Sequence, residues 1–461
     1  MSDTSAVRVV RDVNRAEYVL DRILGEGGQG RVHAVSGRPL AVKLLRTGSP
    51  AQRDRLANEV ARVRRLQLQN LPLARPLALL AAPHAGYVME LLQDMAPLAR
   101  LIHPPKDAEN VLPWYLETGG PRRRLRLLAR LAEVLTELHG RGLCYGDLSP
   151  ENVFVSEAVG AAEVWLIDCD NIHAGVARAS VYTPGYAAPE LQCGTQGADS
   201  LTDAWSFGAL AFETLALLHP FDGDLVHEGD PDLEDAAFRG ELPWVDDVAD
   251  DRNAATARGL PRDLVLTPRL RDLARDCFGE SRLDRQKRPG VAAWAERLHE
   301  AADQLLACKA CGGGYLLNQK ACPWCETPRP SFLLIDVRAV DPALDDAMTD
   351  PVTRKKKPFP LVARTVVQAN SVTPLFERHL RTGAATGARF LVEVRLEGSK
   401  VVFTGSPDTT LELVSDRPMT LAGTTREVRL EGIARARLRP EKATGLHRVV
   451  EFRWHDSTRA S

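Results

Sequence analysis

A multidomain α+β chain is predicted: a two-lobed domain over residues 18–302, in which a small sheet-rich lobe precedes a larger helical one, then a four-cysteine ribbon at 303–328 and a β-rich, sandwich-like domain at 329–461. Three observations predict it. Short β-like runs give way to long stretches of helical periodicity, two C-x-x-C pairs lie close together, and after Pro328 the apolar period changes to two. At 461 residues the chain exceeds what one hydrophobic core usually serves, which agrees with several domains.

The sheet-rich lobe rests on apolar runs of strand length, Ala41-Val42-Lys43-Leu44-Leu45 and Tyr87-Val88-Met89-Glu90. The helical lobe rests on Leu125 to His139, whose apolar residues recur at three- and four-residue spacing and give one apolar face, and on the similar segment Leu201 to Leu218. Between Asp222 and Asp235, carboxylates and glycines with neither period read as a surface loop. In the last domain Phe390, Val392, Val394 and Leu396 alternate with Leu391, Glu393, Arg395 and Glu397, and Val450, Phe452 and Trp454 alternate with Glu451 and Arg453. Those are strands with one buried face. Arg354-Lys355-Lys356-Lys357-Pro358 reads as an exposed loop carrying a solvated charge run.

Composition narrows the function classes. A formal charge of -2 gives no whole-chain electrostatic footprint for nucleic acid or an anionic membrane. Apolar stretches of membrane-spanning length are missing, and the N-terminus alternates charges where a signal peptide carries an apolar run. A cytoplasmic protein is expected. Cys144, Cys169, Cys193 and Cys277 are scattered singly, as suits a reducing compartment, while the paired cysteines point to metal.

Gly25-Glu26-Gly27-Gly28-Gln29-Gly30-Arg31-Val32 has the form G-x-G-x-x-G-x-V, in which glycines let backbone approach phosphates that a Cβ would obstruct. By itself the motif also fits a plain hairpin. Arg31 to Val35 continues as a strand, which disfavours the dinucleotide-binding form that requires a helix there. Lys43, eleven residues beyond Val32, would carry an ammonium under the glycine loop, and Glu59, in the helix-compatible stretch Leu56 to Val60, would pair with it.

In Tyr145-Gly146-Asp147-Leu148-Ser149-Pro150-Glu151-Asn152-Val153 an aspartate and an asparagine stand five positions apart. Phosphoryl transfer needs a carboxylate to orient the attacking hydroxyl and a neutral oxygen ligand for magnesium, roles that Asp147 and Asn152 fit; a polar turn is the plainer reading. Val164-Trp165-Leu166-Ile167-Asp168 then ends an apolar run in a carboxylate suited to a second magnesium contact. Thr183 to Glu190 (TPGYAAPE) and Asp203 to Gly208 (DAWSFG) follow in order.

Together these motifs resemble the eukaryotic-like protein kinase superfamily over residues 18 to 302, and GEGGQGRVH, YGDLSPENVFV, LIDCDN and GELPW resemble bacterial Hanks-type kinases of tellurite-resistance-type gene systems. The resemblance implies a bilobal protein-kinase fold, ATP and magnesium as cofactors, a protein serine or threonine as acceptor, and adenine bonding at a hinge from Glu90 to Leu92 behind a gatekeeper, Met89. It implies further that Glu190 pairs with Arg288 and that Asp203 braces the catalytic loop. Gene-neighbour partners of the same kind would be a von Willebrand-type domain protein and a metal-dependent phosphatase.

The sequence departs from the family pattern in three places. Tyr145-Gly146-Asp147 stands for His-Arg-Asp, Ser149 for the usual lysine, and Asp168-Cys169-Asp170 for Asp-Phe-Gly. Without the arginine, activation by phosphate on the segment Cys169 to Tyr182, whose acceptors are Ser180 and Tyr182, is not expected. A nucleotide-binding pseudokinase scaffold and a small-molecule kinase are the alternatives, although Thr183 to Glu190 matches the peptide-positioning segment of protein kinases.

Cys308-Lys309-Ala310-Cys311 and Cys322-Pro323-Trp324-Cys325 can supply four thiolates to one closed tetrahedral zinc site. With only Lys309, Lys320, Tyr315 and Trp324 at hand, the ribbon has little basic or aromatic surface for nucleic acid, so a structural or protein-docking role is expected.

Overall fold

The computed structural model describes residues 9–28, 30–106, 110–177, 182–344, 358–382, 389–415, 417–442 and 445–457, and the statements below concern these. Gln29, Ser180 and the run Arg354-Lys355-Lys356-Lys357 lie outside them. The chain divides into two compact units, one of Met1–Trp114, Arg130–Gly259 and Asp272–Val291, the other of Tyr115–Ala129, Leu260–Arg271 and Ala292–Ser461.

In the first unit, strands β1 (Val9–Arg11), β2 (Glu17–Glu26), β3 (Gly30–Val35), β4 (Leu40–Leu45), β5 (Ala78–Leu79) and β6 (Gly86–Glu90) form an antiparallel sheet in the order β1-β2-β3-β4-β6-β5. Helix α1 (Pro50–Arg64) starts at Ser49, whose hydroxyl accepts from the Gln52 amide, with Pro50 in the first turn where a missing N–H costs nothing. It buries Val60 and Val63. Val60 packs with Ala41, Ala74, Tyr87 and Met89, and Val32 and Ile167 border that cluster.

Beyond this sheet lie β7 (Met95–Pro97), α2 (Val111–Glu117), α3 (Gly120–Gly140), β8 (Leu143–Cys144), β9 (Val153–Ser156), β10 (Val164–Leu166), β11 (His173–Ala174), α4 (Pro189–Gln192) and α5 (Ser200–Ala216). Helix α5 is capped by Asp199, which accepts from the Leu201 and Thr202 amides while Thr202 returns a bond to the Asp199 amide. It is buried along its length, as a helix apolar nearly all round must be. Trp205 and Phe212 on α5 meet Phe221, Trp244 and Phe278 at centroid separations of 5.5–6.1 Å.

The expected loop at Asp222 to Asp235 instead contains short helices α6 (Asp224–His227) and α7 (Pro231–Phe238). Pro231 opens α7, and Asp232 and Glu234 in its first turn suit the positive end of the helix dipole, so the carboxylates taken for loop character are helix-starting residues. Asp222 is fixed by Arg258, 2.9 Å away, a tertiary contact that local periodicity does not register.

The second unit holds α8 (Arg262–Val265), most of α10 (Val291–Asp303; α9 spans Pro268–Phe278) and the hairpin β12 (Leu305–Ala307) with β13 (Gly314–Leu316). Strands β14 (Phe332–Val340), β15 (Leu361–Gln368), β16 (Val372–Phe376), β17 (Phe390–Glu397), β18 (Lys400–Gly405), β19 (Leu411–Val414), β20 (Pro418–Thr420), β21 (Thr425–Arg429), β22 (Arg437–Pro440) and β23 (His447–His455) follow, with a short α11 (Glu377–Leu380). They make two sheets, β15-β14-β23-β22-β19-β20 and β16-β17-β18-β21. Ile335, Val337, Val450 and Phe452 of the first share one core with Val392, Val394, Val401 and Phe403 of the second, the arrangement of a sandwich.

Candidate active site and metal centre

The glycine loop is the β2–β3 hairpin, closed by Gly27 N–H to Gly30 O (3.0 Å) and the reciprocal bond at 3.3 Å. Of its glycines only Gly30 is forced by packing, since a Cβ there would lie 2.0 Å from Leu44 O. Among the described residues, added Cβ atoms on Gly25, Gly27 and Gly28 would meet nothing within 4 Å. Their absence keeps space open over the hairpin, which is what close approach of phosphates requires. Val32 packs against the cluster that contains Ala41 and Met89. Register pairs Ala41 with Met89 and Leu40 with Glu90, so the chain leaves β6 through Leu91 and Leu92 beside Pro39, whose carbonyl accepts from Leu91 N–H at 3.1 Å.

Lys43 is buried, and its Nζ lies 2.9 Å from Asp168 Oδ1 and 2.8 Å from Asp170 Oδ2. Burial works against its charge, but the carboxylates of Asp170 and Asp168 outweigh that and hold its pKa above the usual lysine value. The expected pairing of Lys43 with Glu59 is not formed. Glu59 is half exposed on α1 and 3.9 Å from Arg55 one turn back, while the ammonium lies between two carboxylates, one supplied by the unusual Asp170. Asp170 is the site residue that the motifs do not announce; a carboxylate where the family has glycine is its only signal in the sequence.

Asp168 adopts a left-handed backbone conformation (φ 52, ψ 50) and is followed by a 3-10 turn, Cys169–Asn171, that brings Asp170 to the same ammonium. Tyr87, on β6 directly across from Lys43, donates its hydroxyl to Asp170 Oδ1. Burial, followed by the charges of Asp170 and Asp168, pushes the Tyr87 pKa well up and keeps the phenol a donor.

Asp147 accepts from the Thr183 hydroxyl at 2.8 Å, and Asn152 Nδ2 donates to Asp147 O at 2.9 Å. That commits the amide nitrogen of Asn152 to the loop and leaves its oxygen as the group suited to a cation. Burial raises the Asp147 pKa, against the lowering effect of the Thr183 bonds. The loop is held from below by Asp203, which accepts from the Tyr145 amide (2.7 Å) and the Gly146 amide (2.9 Å) and lies 3.0 Å from His139. Gly146 sits at φ +89, and a Cβ there would be 3.3 Å from Asn171 O and 3.5 Å from His173 Nε2. Glu190 takes a two-point bond from Arg288 at 2.8 and 3.1 Å, and Arg285 adds 3.2 Å to Glu190 and 2.5 Å to Asp199.

The Sγ atoms of Cys308, Cys311, Cys322 and Cys325 lie within 4.8 Å of one another. A tetrahedron with Zn–S of about 2.3 Å has sulfurs about 3.8 Å apart, and the Cys308–Cys325 and Cys311–Cys322 pairs stand at 3.5 and 3.7 Å. The two knuckles are built alike. Gly312 N–H donates to Cys308 O (3.0 Å) and Glu326 N–H to Cys322 O (2.8 Å), and the residue after each second cysteine has positive φ, 72 at Gly312 and 60 at Glu326. The donor set and its spacing fit a four-thiolate zinc site.

This chain belongs to the protein kinase domain family, whose model matches residues 18–297. Among characterised proteins it is similar to serine/threonine-protein kinase pkn2 of Myxococcus xanthus, 30% identical over 301 residues that cover 62% of this chain and 32% of that protein. It is likewise similar to serine/threonine-protein kinase Pkn1 of the same organism (28% over 230 residues; 46% and 30% of the two chains) and to CBL-interacting protein kinase 20 of Oryza sativa subsp. japonica (31% over 237 residues; 46% and 47%). The chain spans about a third to a half of the length of the curated relatives it matches. Among the described residues, no helix is long and apolar enough to cross a membrane.

Proposed function

We propose that the chain transfers the γ-phosphate of ATP to serine or threonine hydroxyls of a protein. The observation that carries this is the Thr183 hydroxyl bonded to Asp147, which puts an alcohol oxygen 2.8 Å from the carboxylate that would orient an acceptor. Asp147 orients that acceptor and takes its proton, the open glycine hairpin covers the phosphates, and Lys43 binds them. Asn152 and Asp168 would hold magnesium, whose charge offsets that of the phosphates. The adenine edge lies against Val32 and Met89, with backbone from Glu90 to Leu92 as its bonding partner. In this reading Glu59 contributes nothing to the ammonium's orientation.

The crowding around Gly146 supports a kinase that needs no phosphate on its activation segment, because an arginine there would need both a costly backbone angle and the space of Asn171 and His173. The ribbon serves structure, with zinc closing its fold. A protein substrate follows from the reading, and the von Willebrand-type domain protein and metal-dependent phosphatase remain its proposed partners in the cytoplasm. Labelled ATP with magnesium and a protein acceptor tests the proposal. Transfer is expected for the wild type and is lost in Asp147→Asn and Asp168→Asn with the fold intact by circular dichroism; full activity in either variant, or none in the wild type, overturns it.

A further inference from the structure

In place of a helix glutamate, the carboxylate closest to the phosphate lysine comes from the turn after β10. We propose that Asp170, locked by the Tyr87 hydroxyl, is the positioning residue that orients Lys43 toward nucleotide phosphates in place of Glu59, an inference that rests on the nucleotide-binding reading of this site.

The geometry gives Asp170 two committed oxygens. Oδ1 accepts from Tyr87 and Oδ2 accepts from Lys43 at 2.8 Å, so one carboxylate ties β4 to β6 through their side chains. Lys43 and Tyr87 are register partners, which places both side chains on the same face of the sheet; Nζ is 6.0 Å from the phenol ring centre. Tyr87 is wholly buried, so its ring cannot leave without opening the cluster of Ala41, Val60 and Met89. The two aspartates differ in depth, Asp168 being 31% exposed and Asp170 16%. The shallower one is the more open to solvent and to a cation, whereas the deeper one is also held by the buried phenol of Tyr87. Lys43 therefore keeps an anchoring carboxylate when Asp168 turns to another task. Glu59, half exposed and beside Arg55, has no part in this chain of contacts.

Two measurements on the full chain test this. Equilibrium binding of a fluorescent ATP analogue, with magnesium and again in EDTA, should weaken roughly tenfold in Asp170→Asn and severalfold in Tyr87→Phe, in both conditions, since each removes a bond to a buried charged network. The double variant should lose little more than Asp170→Asn alone. In the nucleotide-free protein, amine-reactive labelling of Lys43 read by mass spectrometry should be faster in both variants, and Glu59→Gln should shift each readout less than Asp170→Asn does. A larger effect of Glu59→Gln overturns the proposal. So does a loss in Asp170→Asn that vanishes in EDTA, which would make Asp170 a magnesium ligand instead. The labelling arm needs no nucleotide, and a wild type that binds the analogue without transferring phosphate would refute the transferase reading while leaving this comparison intact.

Discussion

Asp147 shows how much a single side chain's surroundings set its chemistry. Burial raises its pKa above the ordinary 3.8, and the Thr183 hydrogen bonds pull it back. A group that must be ionised to accept a proton gains activity as pH rises through its folded value. The acid limb of the kcat/KM profile should therefore lie above pH 3.8, and Thr183→Ala, which removes the downward pull, should move it higher. A limb that stays put in Thr183→Ala would show that the hydroxyl does not act on Asp147. Glu190 has the opposite sign. Burial raises its pKa, but the Arg288 bond and charge prevail, and the net value is below 4.5. Its stabilisation is thus present above pH 4.5 and is lost as pH falls through the lower folded value. Arg288 is fully buried, so Glu190→Gln leaves an uncompensated charge and should cost about 3–5 kcal/mol at pH 7, read by denaturant unfolding.

Among the elements, the ribbon is the one whose donor set fits a group outside the polypeptide. Its hairpin is three residues a side and its two knuckles have little core of their own beyond Leu306, Tyr315 and neighbours. Metal binding in isolated zinc peptides supplies on the order of 10 kcal/mol, so Cys308→Ser or Cys322→Ser should release the zinc, expected at about one per chain from the four-thiolate set, and unfold the knuckles. Metal analysis of the purified protein checks this, and absence of zinc would sink it. The two positive-φ positions make a finer test: glycine already occupies one, and glutamate strains the other. Glu326→Gly should raise the ribbon's stability by up to about 1 kcal/mol, relief of strain being partly offset by unfolded-state entropy.

At the scale of the whole molecule, the division by motif at 302/303 is not where packing divides. The ribbon, the sandwich, α2's Tyr115–Glu117, the first half of α3 and most of α10 share one compact unit. Trp324 lies 6.0 Å from Tyr115 between ring centres, and a Cβ on Gly313 would come 3.3 Å from Leu116. Gln368 bonds both backbone groups of Ala307, at 2.7 and 3.0 Å, which joins the ribbon to the sandwich. Asp303 holds Arg378 and His379 at 3.1 and 2.8 Å. A chain truncated after Ala302 should therefore melt lower than the full protein, since Tyr115 loses a covering worth about 1.5–3 kcal/mol when a large apolar side chain is laid bare. An unchanged melting temperature in the truncated chain would show that these contacts are dispensable.

The order of glycine hairpin, Lys43, Asp147, Asn152 and Asp168 was legible in the sequence because each proposed role demands a residue type that few others can supply, at a spacing fixed by short local elements. The same holds for the four cysteines and for the period-two strands of the sandwich. The Glu190–Arg288 pair was expected only through the family resemblance, and the partner of Lys43 was not legible at all, because it is decided by elements far apart in the chain. Glu59 had the right type and place to bind Lys43, but only the folded turn after β10 set Asp170 at 2.8 Å from the ammonium, and only the β4–β6 register put Tyr87 where it could hold that carboxylate. Helices α6 and α7 were hidden for a related reason: at their length, periodicity carries little signal, and first-turn residues such as Pro231 and the Asp222–Arg258 contact decide. The sequence by itself determined which chemical groups this protein carries and in what order, since composition and local spacing are properties of the chain. Tertiary structure alone decided which carboxylate meets the lysine and which helices pack with the ribbon, since those choices depend on distances between segments far apart in the chain: Lys43 and Asp170 are 127 residues apart, and Tyr115 and Trp324 are farther still.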